Sequence, residues 1–90
     1  MKKIRFSPDL YKKLQQLRTK DNKLFQQVYK KLRVFELDPR HPSLRLHKIT
    51  RDIENVWSIS INMSIRMLYA ESEEDYYFFE IGTHNEIYRK

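Results

Sequence analysis

Between residues 38 and 42 the chain reads Asp-Pro-Arg-His-Pro, and no helix or central strand can run through that segment. The two prolines remove backbone donors, and each pushes the residue before it into extended conformations. The break coincides with a change of hydrophobic period. Before it, Leu10, Leu14 and Leu17, then Leu24, Phe25, Val28, Leu32 and Phe35, recur at helical spacing. After it, Trp57, Ile59, Ile61 and Met63 alternate with Ser58, Ser60 and Asn62, the period of a half-buried strand with a polar outer face. A chain divided in this way must pack a helical half against a sheet half.

Local signals set the element ends. Ser7-Pro8-Asp9 reads as a helix start, with Ser7 as N-cap, Pro8 in the first helical position and Asp9 at the positive end. Thr19-Lys20-Asp21-Asn22 supplies a turn and a second cap, and Pro39 ends the second helix near Asp38. Ahead of the helices, Lys2–Phe6 carries Ile4 and Phe6 at period two, a short strand signal. Beyond them, Leu44, Leu46 and Ile49 alternate with Arg45 and His47. Ile65, Met67 and Tyr69 face away from Arg66 and Leu68. Ser72–Asp75 is a polar turn, and Tyr76–Ile81 an aromatic-rich strand that ends at Gly82. The expected fold is α+β: a two-helix hairpin packed on one face of a mainly antiparallel four-stranded sheet. Residues 1–90 form one domain, since so short a chain has no room for a second core.

Composition narrows the function. Eighteen Lys and Arg against twelve Asp and Glu give a net charge of +6, which favours polyanions such as nucleic acid. An acidic protein partner, or solubility alone, is the competing reason for such a surface. No cysteine is present, which excludes disulfides, thiolate metal sites and cysteine nucleophiles. With one glycine in the chain there is no glycine-rich phosphate loop. No apolar run approaches the roughly 18 residues of a membrane span, so a cytoplasmic domain is expected. His41, His47 and His84 follow no zinc spacing, so neither a metal nor another cofactor is expected. Ser58, Ser60 and Ser64 lack a neighbouring base and acid, which argues against a serine nucleophile. Lys12-Lys13 and Lys30-Lys31 read as solvated helix faces.

The polar residues that could carry chemistry all lie in the second half: His41, Arg45, His47, Lys48, Arg51, Arg66, His84, Tyr88 and Arg89. Arg66 sits inside an apolar strand, where an unpaired charge is costly if covered. It must face a carboxylate, solvent or an anionic ligand, and its planar fork of donors suits phosphate. His84 is either a turn residue or a proton carrier that works near neutral pH. Tyr88 follows four positions later, so both rings share one face if the chain is helical there.

In order and spacing, several segments together resemble the RelE/ParE toxin superfamily of bacterial type II toxin–antitoxin modules, including its YafQ-like branch. They are His41–Ile49, Val56–Ile61, the strand Ile65-Arg66-Met67-Leu68-Tyr69 and the terminal Gly82-Thr83-His84-Asn85-Glu86-Ile87-Tyr88. The resemblance implies a RelE-like microbial RNase fold and a metal-free, ribosome-dependent endoribonuclease. Its mRNA substrate's own 2′-hydroxyl attacks the adjacent phosphate. It further implies neutralisation by a co-expressed acidic antitoxin, in a hetero-oligomer that meets operator DNA through the antitoxin. On this reading Arg66 stabilises the phosphate, His84 is an acid or base, and Tyr88 stacks on or orients the substrate. Lys48 and His47 fall where other members carry basic or proton-transferring groups, while Arg45, Arg51, His41 and Arg89 would contact substrate. Either His41 or His47 corresponds to the YafQ-type histidine. The sequence departs from the pattern as well: the YafQ branch's histidine and aspartate on the central strand stand here as Ser60 and Ser64, and RelE's paired lysines are reduced to Lys48. Two other expectations share the fold, a ParE-like inhibitor of DNA gyrase and an inactive antitoxin-binding member.

Overall fold

A computed structural model, describing residues 2–49 and 55–88, shows five strands and two long helices in an α+β arrangement. Strand β1 (Lys3–Phe6) leads into α1 (Pro8–Lys20), and α2 (Asn22–Leu37) follows across a one-residue turn. A 3-10 turn at Pro42–Leu44 precedes β2 (His47–Lys48), β3 (Val56–Ser60), β4 (Ile65–Glu71) and β5 (Asp75–Thr83), and a short α3 (His84–Tyr88) follows. The sheet order is β1-β5-β4-β3-β2.

The helix boundaries fall where the capping chemistry puts them. The Ser7 side chain accepts from the Leu10 amide at 3.1 Å, with Pro8 opening the helix behind it. Asp21 caps α2 by accepting from the Leu24 amide at 3.1 Å, and Asp38 closes that helix just before Pro39. Both helices lay their apolar stripes on one sheet face. There Leu10, Leu14, Val28 and Phe35 pack with Ile59, Ile61, Met67, Tyr69 and Phe78. Phe35 is fully buried, its ring 5.1 Å from Tyr69, 4.8 Å from Tyr76 and 5.2 Å from Phe78, all edge-on. Burial pushes the Tyr69 phenol above its ordinary range, because the charged form would lose its water. The other face holds a smaller cluster of Ile49, Val56, Leu68 and Ile87.

The sheet differs from the expected four antiparallel strands. The meander β2-β3-β4-β5 is antiparallel, but β1 joins it as a fifth strand, parallel to β5 from Lys3↔Asp75 to Phe6↔Phe78. A parallel neighbour needs a long crossover, and the helical hairpin is part of the intervening chain that supplies it. Arg5 donates to Asp75 at 3.1 Å and Lys2 pairs with Glu71, so charge as well as backbone bonding holds β1 in place. Strand structure also begins later than the alternation suggests. Leu44 closes the 3-10 turn and Arg45 adopts a left-handed conformation at φ 46°, which leaves only two residues for β2. Met63 is not a strand residue facing the core. The Asn62 side chain accepts from the amides of Ser64 and Ile65, both at 2.8 Å, and this tight turn leaves Met63 fully exposed.

Candidate functional site

The face opposite the long helices gathers most of the polar residues singled out from the sequence. Arg66 of β4 projects there, next to Ser58 and Ser60 of β3. The expected polar outer face of β3 is in fact covered: Ser58 is 0% exposed and Ser60 8%. The covering groups come from elsewhere in the chain, because the Arg66 side chain folds over Ser58 and the Tyr88 hydroxyl reaches the same serine.

Arg66 is held on one edge of its guanidinium. Nε donates to Ser58 Oγ at 2.9 Å, and one terminal nitrogen donates to the carbonyls of Arg45 at 2.7 Å and Ser58 at 3.2 Å. The left-handed turn at Arg45 is what presents that carbonyl beside Arg66. Among the described residues no carboxylate pairs with Arg66, and none accepts from its other terminal nitrogen.

Helix α3 places the two terminal aromatics. Thr83 and Glu86 form a reciprocal cap: the Glu86 amide donates to Thr83 Oγ1 at 3.2 Å, and the Thr83 amide donates to Glu86 Oε1 at 2.7 Å. That backbone bond, reinforced by the threonine side chain, holds the Glu86 carboxyl below the usual carboxylate range. The chain's only glycine makes the cap possible, since a Cβ on Gly82 would lie 2.9 Å from Glu86 Oε1. With α3 so started, His84 and Tyr88 lie one turn apart with ring centres 4.4 Å from each other. His47 also meets Tyr88 edge-on, with ring centres 5.8 Å apart. A row of His84, Tyr88 and His47 therefore borders Arg66 and Ser58.

A cleft of about 360 Å³ opens beside this row, lined by Lys31, Arg45, Ser60, Met63, Arg66 and His84 among others, and no described Asp or Glu lines it. Lys31 belongs to a pair that the sequence assigned to a solvated helix face. It instead crosses to the cleft and donates to the Ser43 carbonyl at 2.8 Å. The chemistry this arrangement offers is clear. Three cations line the cleft with no described carboxylate among the lining residues, so the cleft attracts an anion, and the His84 imidazole lies at its edge.

Not every predicted residue is in this group. Lys48 pairs across the strands with Trp57 and lays its ammonium over that ring at 5.7 Å. Trp57 packs toward the long helices, so Lys48 leaves the Arg66 face, a direct consequence of strand alternation. His41 is engaged in the turn: its Nδ1 accepts from the Ser43 amide at 3.1 Å and lies 2.9 Å from Ser43 Oγ. Of the two histidines left open by the sequence, His47 is the one beside Tyr88. Arg51 and Arg89 lie outside the described residues. Sequence reasoning passed over Ser58 and Lys31. The sequence pattern puts Ser58 on a polar outer face and argues against it as a nucleophile, although three serines beside an arginine on an otherwise apolar sheet are a signal in themselves.

No protein-family model and no curated protein matches the sequence. Solved structures do match its fold. A YoeB/ParE toxin from Agrobacterium tumefaciens superposes with a TM-score of 0.75 at 14% identity, over 91% of this chain and 98% of that one. The YoeB dimer from Staphylococcus aureus gives 0.71 at 18% identity, over 92% and 97%. YafQ in its complex with DinJ from E. coli gives 0.68 at 18%, over 98% and 99%. A DinJ–YafQ structure from E. coli is a toxin–antitoxin complex, as is a heterotetrameric YoeB–YefM structure from Staphylococcus aureus.

Proposed function

Starting from a chain that has the fold of the RelE/ParE-like toxins, we propose that it is the toxin of a type II toxin–antitoxin module and cleaves mRNA on the ribosome. The observation that carries this reading is the cleft itself: Lys31, Arg45 and Arg66 converge with His84 where no described carboxylate neutralises them. In the reaction the substrate's 2′-hydroxyl attacks phosphorus, the bond to the 5′-oxygen breaks, and a cyclic phosphate forms. The 2′-hydroxyl proton passes to a base and the departing 5′-oxygen takes one from an acid. His84 serves one of these roles. The free terminal nitrogen of Arg66 stabilises the charge that builds on the phosphate oxygens. Tyr88 and His47 orient the nucleotide, and Arg45 and Lys31 hold the flanking backbone.

The partner is an acidic antitoxin, which a +6 domain would meet with favourable electrostatic steering. Among the described residues no helix is long and apolar enough to cross a membrane. The proposal places the protein in the cytoplasm, where ribosomes and antitoxin are available.

Primer extension on mRNA after induction tests the reading, run beside a gyrase supercoiling assay. Cleavage within open reading frames, abolished in a folded double variant carrying Arg66→Ala and His84→Gln, is the expected result. Growth arrest by that double variant with supercoiling inhibited would transfer the function to gyrase.

A further inference from the structure

Ser58 is fully buried and makes two side-chain contacts, yet the proposed reaction assigns it no part. Its hydroxyl offers one hydrogen and two acceptor positions. One acceptor position takes the Arg66 Nε–H at 2.9 Å, and the Tyr88 hydroxyl lies 2.6 Å away. Either hydroxyl could donate across that short contact, and counting partners decides which one does. If Tyr88 donated to Ser58, the serine's own hydrogen would be buried with no acceptor among the described residues, a costly arrangement. If Ser58 donates to Tyr88, its one hydrogen has an acceptor and one of its two acceptor positions is filled by Arg66. The tyrosine is the more exposed of the two, and its own hydrogen is then free to turn toward a ligand.

We infer that Ser58 is a positioning residue that locks the Nε edge of Arg66 and makes Tyr88 a hydrogen-bond donor toward the bound phosphate. The arginine polarises the serine it donates to, which strengthens the serine's bond to Tyr88 in turn. One buried hydroxyl thus sets the direction of both groups. The consequence for catalysis rests on the nuclease reading, whereas the hydrogen-bond arrangement itself does not.

The test has two arms. In the free protein, the Arg66 Nε–H resonance is followed by proton–nitrogen NMR. It should be shifted from bulk arginine and slow to exchange in the wild type, and return to the bulk position in Ser58→Ala. A wild-type signal already at the bulk position, or one unmoved by Ser58→Ala, overturns the inference. In the second arm, initial rates are measured on a defined mRNA bound to ribosomes. Ser58→Ala should lower kcat by about tenfold to a hundredfold with KM little changed, the scale of a misplaced catalytic group. Ser58→Thr keeps the hydroxyl and should retain most of the rate. The double variant Ser58→Ala, Tyr88→Phe should be no slower than its slower parent, because both changes break one link. Independent, multiplicative losses in the double variant, or a folded Ser58→Thr as slow as Ser58→Ala, would show a packing role only. A wild type that cleaves nothing while its Nε–H signal collapses in Ser58→Ala removes the nuclease reading and leaves the positioning role standing.

Discussion

Phe35 and Arg66 sit against opposite faces of the same sheet, and their surroundings differ in kind. Phe35 projects from the second of two helices, of 13 and 16 residues, and touches three other aromatic rings. Arg66 lies beside buried serines and a backbone carbonyl, under a helix of five residues. One face is filled by apolar packing. The other keeps a charge and several hydroxyls partly covered, an arrangement that contributes little to stability. A sheet of five strands supports both because alternation keeps the two sets of side chains apart.

Substitutions can break that division. The largest effect should come from Phe35→Ala, which leaves a cavity beneath three rings and should cost about 3–5 kcal/mol. In a domain this small that is most of the folding free energy, so denaturant titration should find the variant largely unfolded. Arg66→Ala should do the reverse: cleavage falls about a hundredfold or more, as when one oxyanion donor is removed, while the melting temperature stays near wild type. Arg66→Lys should recover only part of the rate, since an ammonium cannot bond Ser58 and Arg45 and still reach a phosphate. If Arg66→Ala unfolds the domain as readily as Phe35→Ala does, the two faces are not separable.

Smaller effects sharpen the contrast within the polar face. Arg45 is held in a left-handed conformation that glycine adopts freely. Arg45→Gly should therefore be neutral or stabilising by up to about 1 kcal/mol in thermal melts while weakening cleavage through the lost cation. The mildest prediction concerns acid. Glu86 is held below the ordinary carboxylate range, so its capping contribution is complete above about pH 4.3, the unperturbed value for glutamate. It is lost as the pH falls through the lowered folded-state value. NMR shifts at residues 82–88 should move in that acid range, and Glu86→Gln should abolish the titration while keeping the cap.

The helical half was legible because its signals are local. Ser7, Asp21 and Pro39 each act within one turn of where they stand, and the strand alternation of β3 and β4 is equally short-ranged. What could not be read depends on distant partners. The pairing of β1 with β5 joins residues as far apart as Lys3 and Asp75, and nothing in Lys3–Phe6 says which strand it will meet. The burial of Ser58 depends on Tyr88, 30 positions away. Lys31 looks like any surface lysine until the Ser43 carbonyl is beside it. Arg66 and His84 stood out by residue type alone, whereas the serine beneath them did not.

The pairing of the first strand with the last also constrains how the protein is made. While the chain emerges from the ribosome, the helical hairpin is available early but has no sheet to cover. Strand β5, which β1 must join, and α3, which carries His84 and Tyr88, are the last described elements to be translated. Contacts between such distant segments form late and slowly compared with local ones. The nascent chain therefore lacks both its completed sheet and its assembled cleft until β5 and α3 have emerged. Until those elements emerge, a chain with the proposed activity would be unable to attack the ribosome that is making it.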